Sequence, residues 1–119
     1  RLERAVLITH PIRATGFPDG EYLLGKQHIT VKAGVPRTPE GNLGGSTLTM
    51  GAAVRNVVRV TGMPLADVWR MASLTPAQSI GIETRKGSLE AGQDADIVLL
   101  DESLNVTLTM VRGKVVYKN

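Results

Sequence analysis

Arg4-Ala5-Val6-Leu7-Ile8-Thr9 decides how the rest of this chain is read. The run is apolar from Ala5 to Ile8 and ends in a small polar residue. A strand with one wet face alternates apolar and polar side chains, whereas a strand covered on both faces reads as a continuous apolar run. Such a strand needs parallel neighbours on either side, joined by helical crossovers. No other segment before Gly81 has this character. Two expectations stay open at this point. Either the sequence begins partway through a larger α/β domain, or Val6–Thr9 joins a C-terminal sheet in a complete small α+β domain.

Outward from that run, Gly16, Pro18 and Gly20 open an irregular stretch in which Pro18-Asp19-Gly20 is a strong turn signal. Glu21–Leu24 and Gln27–Lys32 are short β-type runs around Gly25-Lys26, which predicts a hairpin. Gly34, Pro36, Pro39, Gly41, Gly44 and Gly45 mark a second irregular stretch. Ser46 is a candidate cap for a helix starting at Thr47, with Met50, Val54, Val57 and Val58 at helical spacing and Gly62 as its stop. Pro64 begins a second helix through Ala72, and Thr75-Pro76-Ala77 a third that ends near Gly81. Beyond Gly81 the pattern is β. It predicts a short strand at Gly87–Leu89, a turn at Ala91–Asp94, and strands at Ala95–Asp101, Val106–Val111 and Val115–Tyr117, the last two joined by an Arg112-Gly113-Lys114 turn.

Composition narrows the function. The 119 residues suffice for one domain, and 42% hydrophobic content supports a core. Aromatic residues are 3%, so that core is built from Val, Leu, Ile, Met and Ala. Zero cysteines exclude a disulfide scaffold, a thiolate metal site and a Cys nucleophile, and fit a reducing, cytoplasmic compartment. No apolar run approaches the ~18 residues of a membrane helix, and Arg1–Arg4 does not begin a signal peptide. The net charge of +3 comes from 14 basic residues spread along the chain, without the clustering and stacking aromatics of a nucleic-acid binder.

Four segments carry a resemblance. Met71-Ala72-Ser73-Leu74-Thr75-Pro76-Ala77 matches a MAS-x-x-PA helix junction. Gly87-Ser88-Leu89-Glu90-Ala91-Gly92-Gln93-Asp94-Ala95-Asp96, leading into Ile97–Asp101, matches G-x-L-x-x-G-x-x-AD followed by a hydrophobic strand. Leu43-Gly44-Gly45-Ser46-Thr47-Leu48-Thr49-Met50 with Ala53-Val54-Arg55-Asn56 resembles LAGS-x-LTM…AVRN. Thr15-Gly16-Phe17-Pro18-Asp19-Gly20-Glu21-Tyr22 is similar to a segment that follows a last barrel strand. Together, over essentially the whole chain, they resemble the C-terminal third of the amidohydrolase superfamily, and within it the N-acetylglucosamine-6-phosphate deacetylases.

The resemblance implies an α/β class: a C-terminal fragment of a (β/α)8 metal-dependent hydrolase barrel plus part of a small β-sandwich domain. Residues 1–81 would supply the last barrel strand, the hairpin and the closing helices, and residues 82–119 strands of the sandwich. It further implies a cytoplasmic enzyme of amino-sugar catabolism that deacetylates N-acetylglucosamine 6-phosphate to glucosamine 6-phosphate and acetate. A divalent metal, Zn or Fe, would activate the attacking water. The partners implied are an amino-sugar phosphate, the remainder of the barrel and a second copy in a homodimer, with no nucleic acid and no membrane.

For site residues, the resemblance aligns His10 with the aspartate of a TDA motif after strand eight, where this chain reads Thr9-His10-Pro11. A carboxylate there exchanges protons with the water and the leaving amine. Imidazole can also move protons but supplies no negative charge. Leu43, Gly44 and Gly45 align with a substrate-contacting LAG, followed by a helix N-terminus with free N–H groups. The family's metal-binding glutamate and two histidines lie upstream of this region, so no metal ligand is expected in this chain and the chain alone is expected to be inactive.

Each feature also has a plainer reading. A lone histidine is usually a surface residue, and His28 is taken as part of the hairpin. Gly44-Gly45 alone would be a turn before a helix. Asp94 and Asp96 suit turn chemistry, and Met50, Met63, Met71 and Met110 suit core filling. The alternative function is a non-catalytic remnant, structural or sugar-binding, with the catalytic Asp replaced by His10.

Overall fold

A computed structural model describes residues 4–119. Arg1, Leu2 and Glu3, which belong to the stretch weighed above as a signal peptide, lie outside the described residues. Two compact units are present. One is Ile8–Ala53, and the other is Val54–Asn119 together with the described residues before Ile8.

In the Ile8–Ala53 unit, three antiparallel strands form a meander: β1 (Gly20–Leu24), β2 (Gln27–Lys32) and β3 (Val35–Arg37). Tyr22 pairs with Ile29 and Val31 with Pro36. The hairpin is where its turn signal puts it. The third strand falls in the stretch expected to be irregular. Pro36 can enter it because β3 is an edge strand, where a missing N–H breaks no ladder bond. From His28 onward burial alternates along β2: Ile29 and Val31 are buried while His28, Thr30 and Lys32, like Gln27 before them, face water. With Ala14 they form a small core, against which Ile12 and Tyr22 pack.

In the Val54–Asn119 unit, the helix α1 (Met50–Thr61) runs on from the first unit. It begins three residues later than expected. Thr49 caps it, accepting the Ala52 N–H on Oγ1 at 3.3 Å, while Ser46 Oγ serves the Leu48 N–H at 2.9 Å. Gly62 ends it with φ +69°, its N–H donating to the Val58 carbonyl. Helices α2 (Leu65–Ala72) and α3 (Leu74–Ser79) follow, burying Val68 and Met71, then Thr75 and Ala77. Of the four methionines only Met71 is fully buried, so the core-filler reading holds for one.

A second antiparallel meander closes the chain: β4 (Ile97–Leu100), β5 (Val106–Val111) and β6 (Lys114–Lys118). Gly87–Leu89 is not a strand. Gly87, at φ +103°, lies so close to α3 that a Cβ there would meet Leu74 Cα at 2.9 Å. Gln93 then folds the segment back, accepting from Ser88 and donating to the Glu83 carbonyl at 2.9 Å.

Val6–Thr9 is not a strand either. Exposure alternates along the run: Val6 and Ile8 are 41% and 74% exposed, while Leu7 and Thr9 are half-buried. The Leu7 N–H donates to the Met71 carbonyl at 2.9 Å. A strand exists only by its ladder partners, and among the described residues this run has none. What the structure shows is a mixed α/β chain with two small sheets.

Candidate functional site

The two segments expected to form the site, thirty-odd residues apart, are joined within the Ile8–Ala53 unit. Pro11 and Ser46 form a parallel bridge. The Ser46 carbonyl accepts two donors, the Ile12 N–H at 2.9 Å and Thr15 Oγ1 at 3.2 Å. His10 is therefore one residue from a bridge whose other strand carries Gly45 one residue away. His10 is exposed and holds φ at +47°, a left-handed conformation costly for a residue with a Cβ.

The glycines are set by close approach. A Cβ on Gly45, at φ +124°, would come within 2.3 Å of Ile12 Cγ2. A Cβ on Gly44 would come within 2.5 Å of Ile29 Cδ1. The Gly44 N–H donates to the Pro36 carbonyl at 3.0 Å, and Leu43, 69% exposed, bridges Arg37. Backbone thus approaches backbone and core side chain where a larger residue would not fit. The helix that follows starts at Met50 rather than Thr47; Ser46 Oγ takes the Leu48 amide ahead of it and Thr49 Oγ1 takes the Ala52 amide of its first turn.

His28 stands exposed on β2 opposite Leu23. It lines a groove of about 490 Å3 with Arg13, Phe17, Glu21, Tyr22 and Leu23. None of His10, Leu43, Gly44 or Gly45 lines that groove. Among the described residues, no three His, Cys, Asp or Glu side chains converge in a way that would hold a metal ion. This donor set does not fit a metal centre.

Asp94 and Asp96 serve the fold. Lys86 Nζ lies between them, 2.8 Å from Asp94 Oδ2, and Asp96 Oδ1 accepts the Arg112 N–H at 2.8 Å. The hydrogen bond from Lys86 holds both carboxyls below the usual carboxylate range. The two carboxylates in turn raise the Lys86 ammonium above its ordinary value.

Sequence reasoning missed Asp19, which does more than shape its own turn. Its carboxylate accepts the Gly34 N–H at 3.0 Å and the Ala33 N–H besides. Thr47 was read as the first helical residue, and instead its hydroxyl donates to the Gly34 carbonyl. The available signal was the Ala33-Gly34 pair, a two-residue turn that needs positive φ and leaves amides to be satisfied.

The sequence profile of the amidohydrolase family matches residues 28–116. The chain belongs to the amidohydrolase family. Members of this family are generally metal-dependent. It is 44% identical to an N-acetylglucosamine-6-phosphate deacetylase of Vibrio furnissii, over 96% of this chain and 29% of that protein. It is 45% identical to a putative N-acetylgalactosamine-6-phosphate deacetylase of Escherichia coli K12, over 94% of this chain and 67% of that one. A solved structure of the Mycobacterium smegmatis N-acetyl-D-glucosamine-6-phosphate deacetylase, in complex with N-acetyl-D-glucosamine-6-phosphate, superposes on 97% of this chain with a TM-score of 0.88 at 40% identity. This chain covers 31% of that structure. It therefore spans about three-tenths of the length of two of these three family relatives. Among the described residues, no helix is long and apolar enough to cross a membrane.

Proposed function

We propose that this chain is the C-terminal portion of a deacetylase acting on N-acetylhexosamine 6-phosphates. N-Acetylglucosamine 6-phosphate is the substrate, hydrolysed to glucosamine 6-phosphate and acetate. Residues 1–81 contribute the last strand, hairpin and closing helices of a (β/α)8 barrel, and residues 82–119 contribute strands of a small β-sandwich. The complete enzyme is cytoplasmic and homodimeric and uses zinc or iron, held by residues outside this chain.

The observation that carries this reading is the Pro11–Ser46 bridge. It sets His10 beside Leu43-Gly44-Gly45, the two segments that the family resemblance independently names. Amide hydrolysis needs a proton taken from water and one given to the departing amine. An imidazole, with one ring nitrogen to accept and one to donate, can do both. The Gly44-Gly45 backbone, free of side chains, lets a sugar approach closely. A non-catalytic reading is favoured by one observation, namely that His10 stands where the resemblance expects a carboxylate.

Acetate release separates the two readings. In the complete protein His10→Ala is expected to lower kcat by about 10²-fold or more, the usual contribution of a general base. His10→Asp is expected to raise kcat. Rates indifferent to both would remove His10 from the chemistry and favour the remnant. The 119-residue chain alone is expected to release no acetate with added Zn²⁺ or Fe²⁺, and turnover would show that it lacks nothing essential. Because relatives named for the gluco and galacto sugars are similarly identical to this chain, both epimers belong in the assay.

A further inference from the structure

The segment from Leu43 to Thr49 has no helix and no strand beyond its isolated bridges. Its two glycines have few rotational restraints of their own. Something outside the segment must hold it, and the hydrogen bonds trace what does. The turn between β2 and β3 is Ala33-Gly34, with φ of +50° and +71°. Positive φ at both central positions matches the twist of a tight hairpin, but at Ala33 it works against the Cβ. The Asp19 carboxylate meets this turn with both oxygens, one accepting from Ala33 N–H and the other from Gly34 N–H. Hydrogen bonds to an ionised acceptor are the strong kind, and two successive amides offer it a concave seat.

From the same turn, the Gly34 carbonyl points to Thr47 Oγ1, which donates to it. Thr47 directly follows Ser46, whose carbonyl holds Ile12 and Thr15. One carboxylate, one turn and one hydroxyl thus connect residue 19 to the residue beside the Pro11–Ser46 bridge.

We infer that Asp19 and Thr47 are positioning residues. Acting through the Ala33-Gly34 turn, they fix the Leu43–Ser46 segment in the conformation that presents Gly44 and Gly45. The consequence for sugar binding rests on the function proposed above. Neither residue needs to touch a ligand.

Amide exchange in the 119-residue chain tests this, read at Gly44, whose N–H donates to Pro36, and at Ile12, whose N–H donates to Ser46. Thr47→Val is expected to speed exchange at both by about tenfold or more, as for local loss of one hydrogen bond. The amides of the β1–β2 ladder should stay as they were. Thr47→Ser should restore the original rates. Asp19→Ala should act like Thr47→Val, and Asp19→Asn, which keeps one oxygen acceptor, should fall between. Unchanged exchange at Gly44 and Ile12, equal loosening of the β1–β2 ladder, or failure of Thr47→Ser to rescue would each overturn the assignment. N-Acetylglucosamine 6-phosphate titrated into the complete protein should bind about tenfold more weakly when the same substitutions loosen the segment. If the substituted complete protein binds it as the unsubstituted one does, the sugar-contact reading fails, while the exchange rates still decide the role of Asp19 and Thr47.

Discussion

The two sheets share one topology and differ in what orders them. Both are three-stranded antiparallel meanders. The first owns a core, with Ile29 at 0% and Val31 at 3% exposure on its central strand. The second buries no strand residue fully, and every residue of β6 is exposed, including Val115, Val116 and Tyr117. Ion pairs show the opposite bias. Those among the described residues all involve Arg85 or Lys86 with Asp94 or Asp96, next to the second sheet in sequence. Chain pairing alone thus does not stabilise a meander. One sheet is ordered by apolar burial, and the other has polar clamps and leaves an apolar strand open. In the proposed sandwich, this open apolar strand is the face on which further strands would pack.

The largest test of this contrast is Ile29→Ala. Emptying the best-buried site of the first sheet should cost about 2–5 kcal/mol, read by urea unfolding. A cost below about 0.5 kcal/mol, the ordinary range for surface changes, would mean that the first sheet is not core-driven.

Glycine replacements sharpen the contrast between side-chain and backbone neighbours. A Cβ at Gly87 meets the Leu74 backbone at 2.9 Å, whereas at Gly45 it meets a methyl of Ile12 at 2.3 Å. The Ile12 methyl can yield only by a change of χ1, which a β-branched side chain resists, and the helix backbone at Gly87 yields less still. Both positions also have positive φ. Gly87→Ala should therefore cost about 2–3 kcal/mol and Gly45→Ala about 1–2 kcal/mol. The reverse order in thermal unfolding would show that the Ile12 pocket is the stiffer one.

The polar clamp predicts a pH signature for the second sheet. Asp94 and Asp96 titrate below the usual range, so they stabilise the fold above the unfolded carboxylate value of about 3.9 and lose this as pH falls through their folded values. Lys86 titrates above its usual value, so it stabilises below about 10.4 and loses this as pH rises through its folded value. Protection of β5 amides should therefore be level between those limits and decline outside them. Lys86→Met should remove the alkaline decline and weaken the acid one, of which the Arg112 N–H on Asp96 keeps a part. An acid limb unchanged in Lys86→Met would assign it to groups other than the Lys86 clamp.

The smallest effect belongs to the bare strand. Val116→Thr in β6 should shift stability by less than about 0.5 kcal/mol in this chain. A loss approaching that of Ile29→Ala would show that β6 is covered in solution.

Local signals were legible where the physics is local. Gly25-Lys26 between two β-type runs marks the hairpin, and Val106–Val111 is a strand with the bounds expected. Gly62 and Gly81 stand just past helices at positive φ, where a stop without a Cβ is needed. Val6–Thr9 went the other way. Its composition says what could cover it, but a ladder needs partners, and the described residues offer none. Gly87–Leu89 looked like a strand until α3 lay against it. For the proposed site, His10 and Leu43–Gly45 are named from motifs. Asp19 could not be, because its partners are 14 and 15 residues away.

The sequence by itself determined the β1–β2 and β5–β6 turns, the helix stops and, through four ordered motifs, membership of the amidohydrolase family. These depend on neighbours within a few residues or on the pattern itself. Only the tertiary structure decided that Pro11 meets Ser46, that Gly44 and Gly45 are forced small by Ile29 and Ile12, and that one carboxylate at Asp19 accepts two amides of a distant turn. Those facts depend on which atoms approach within a few ångströms after folding, and no local preference encodes that distance.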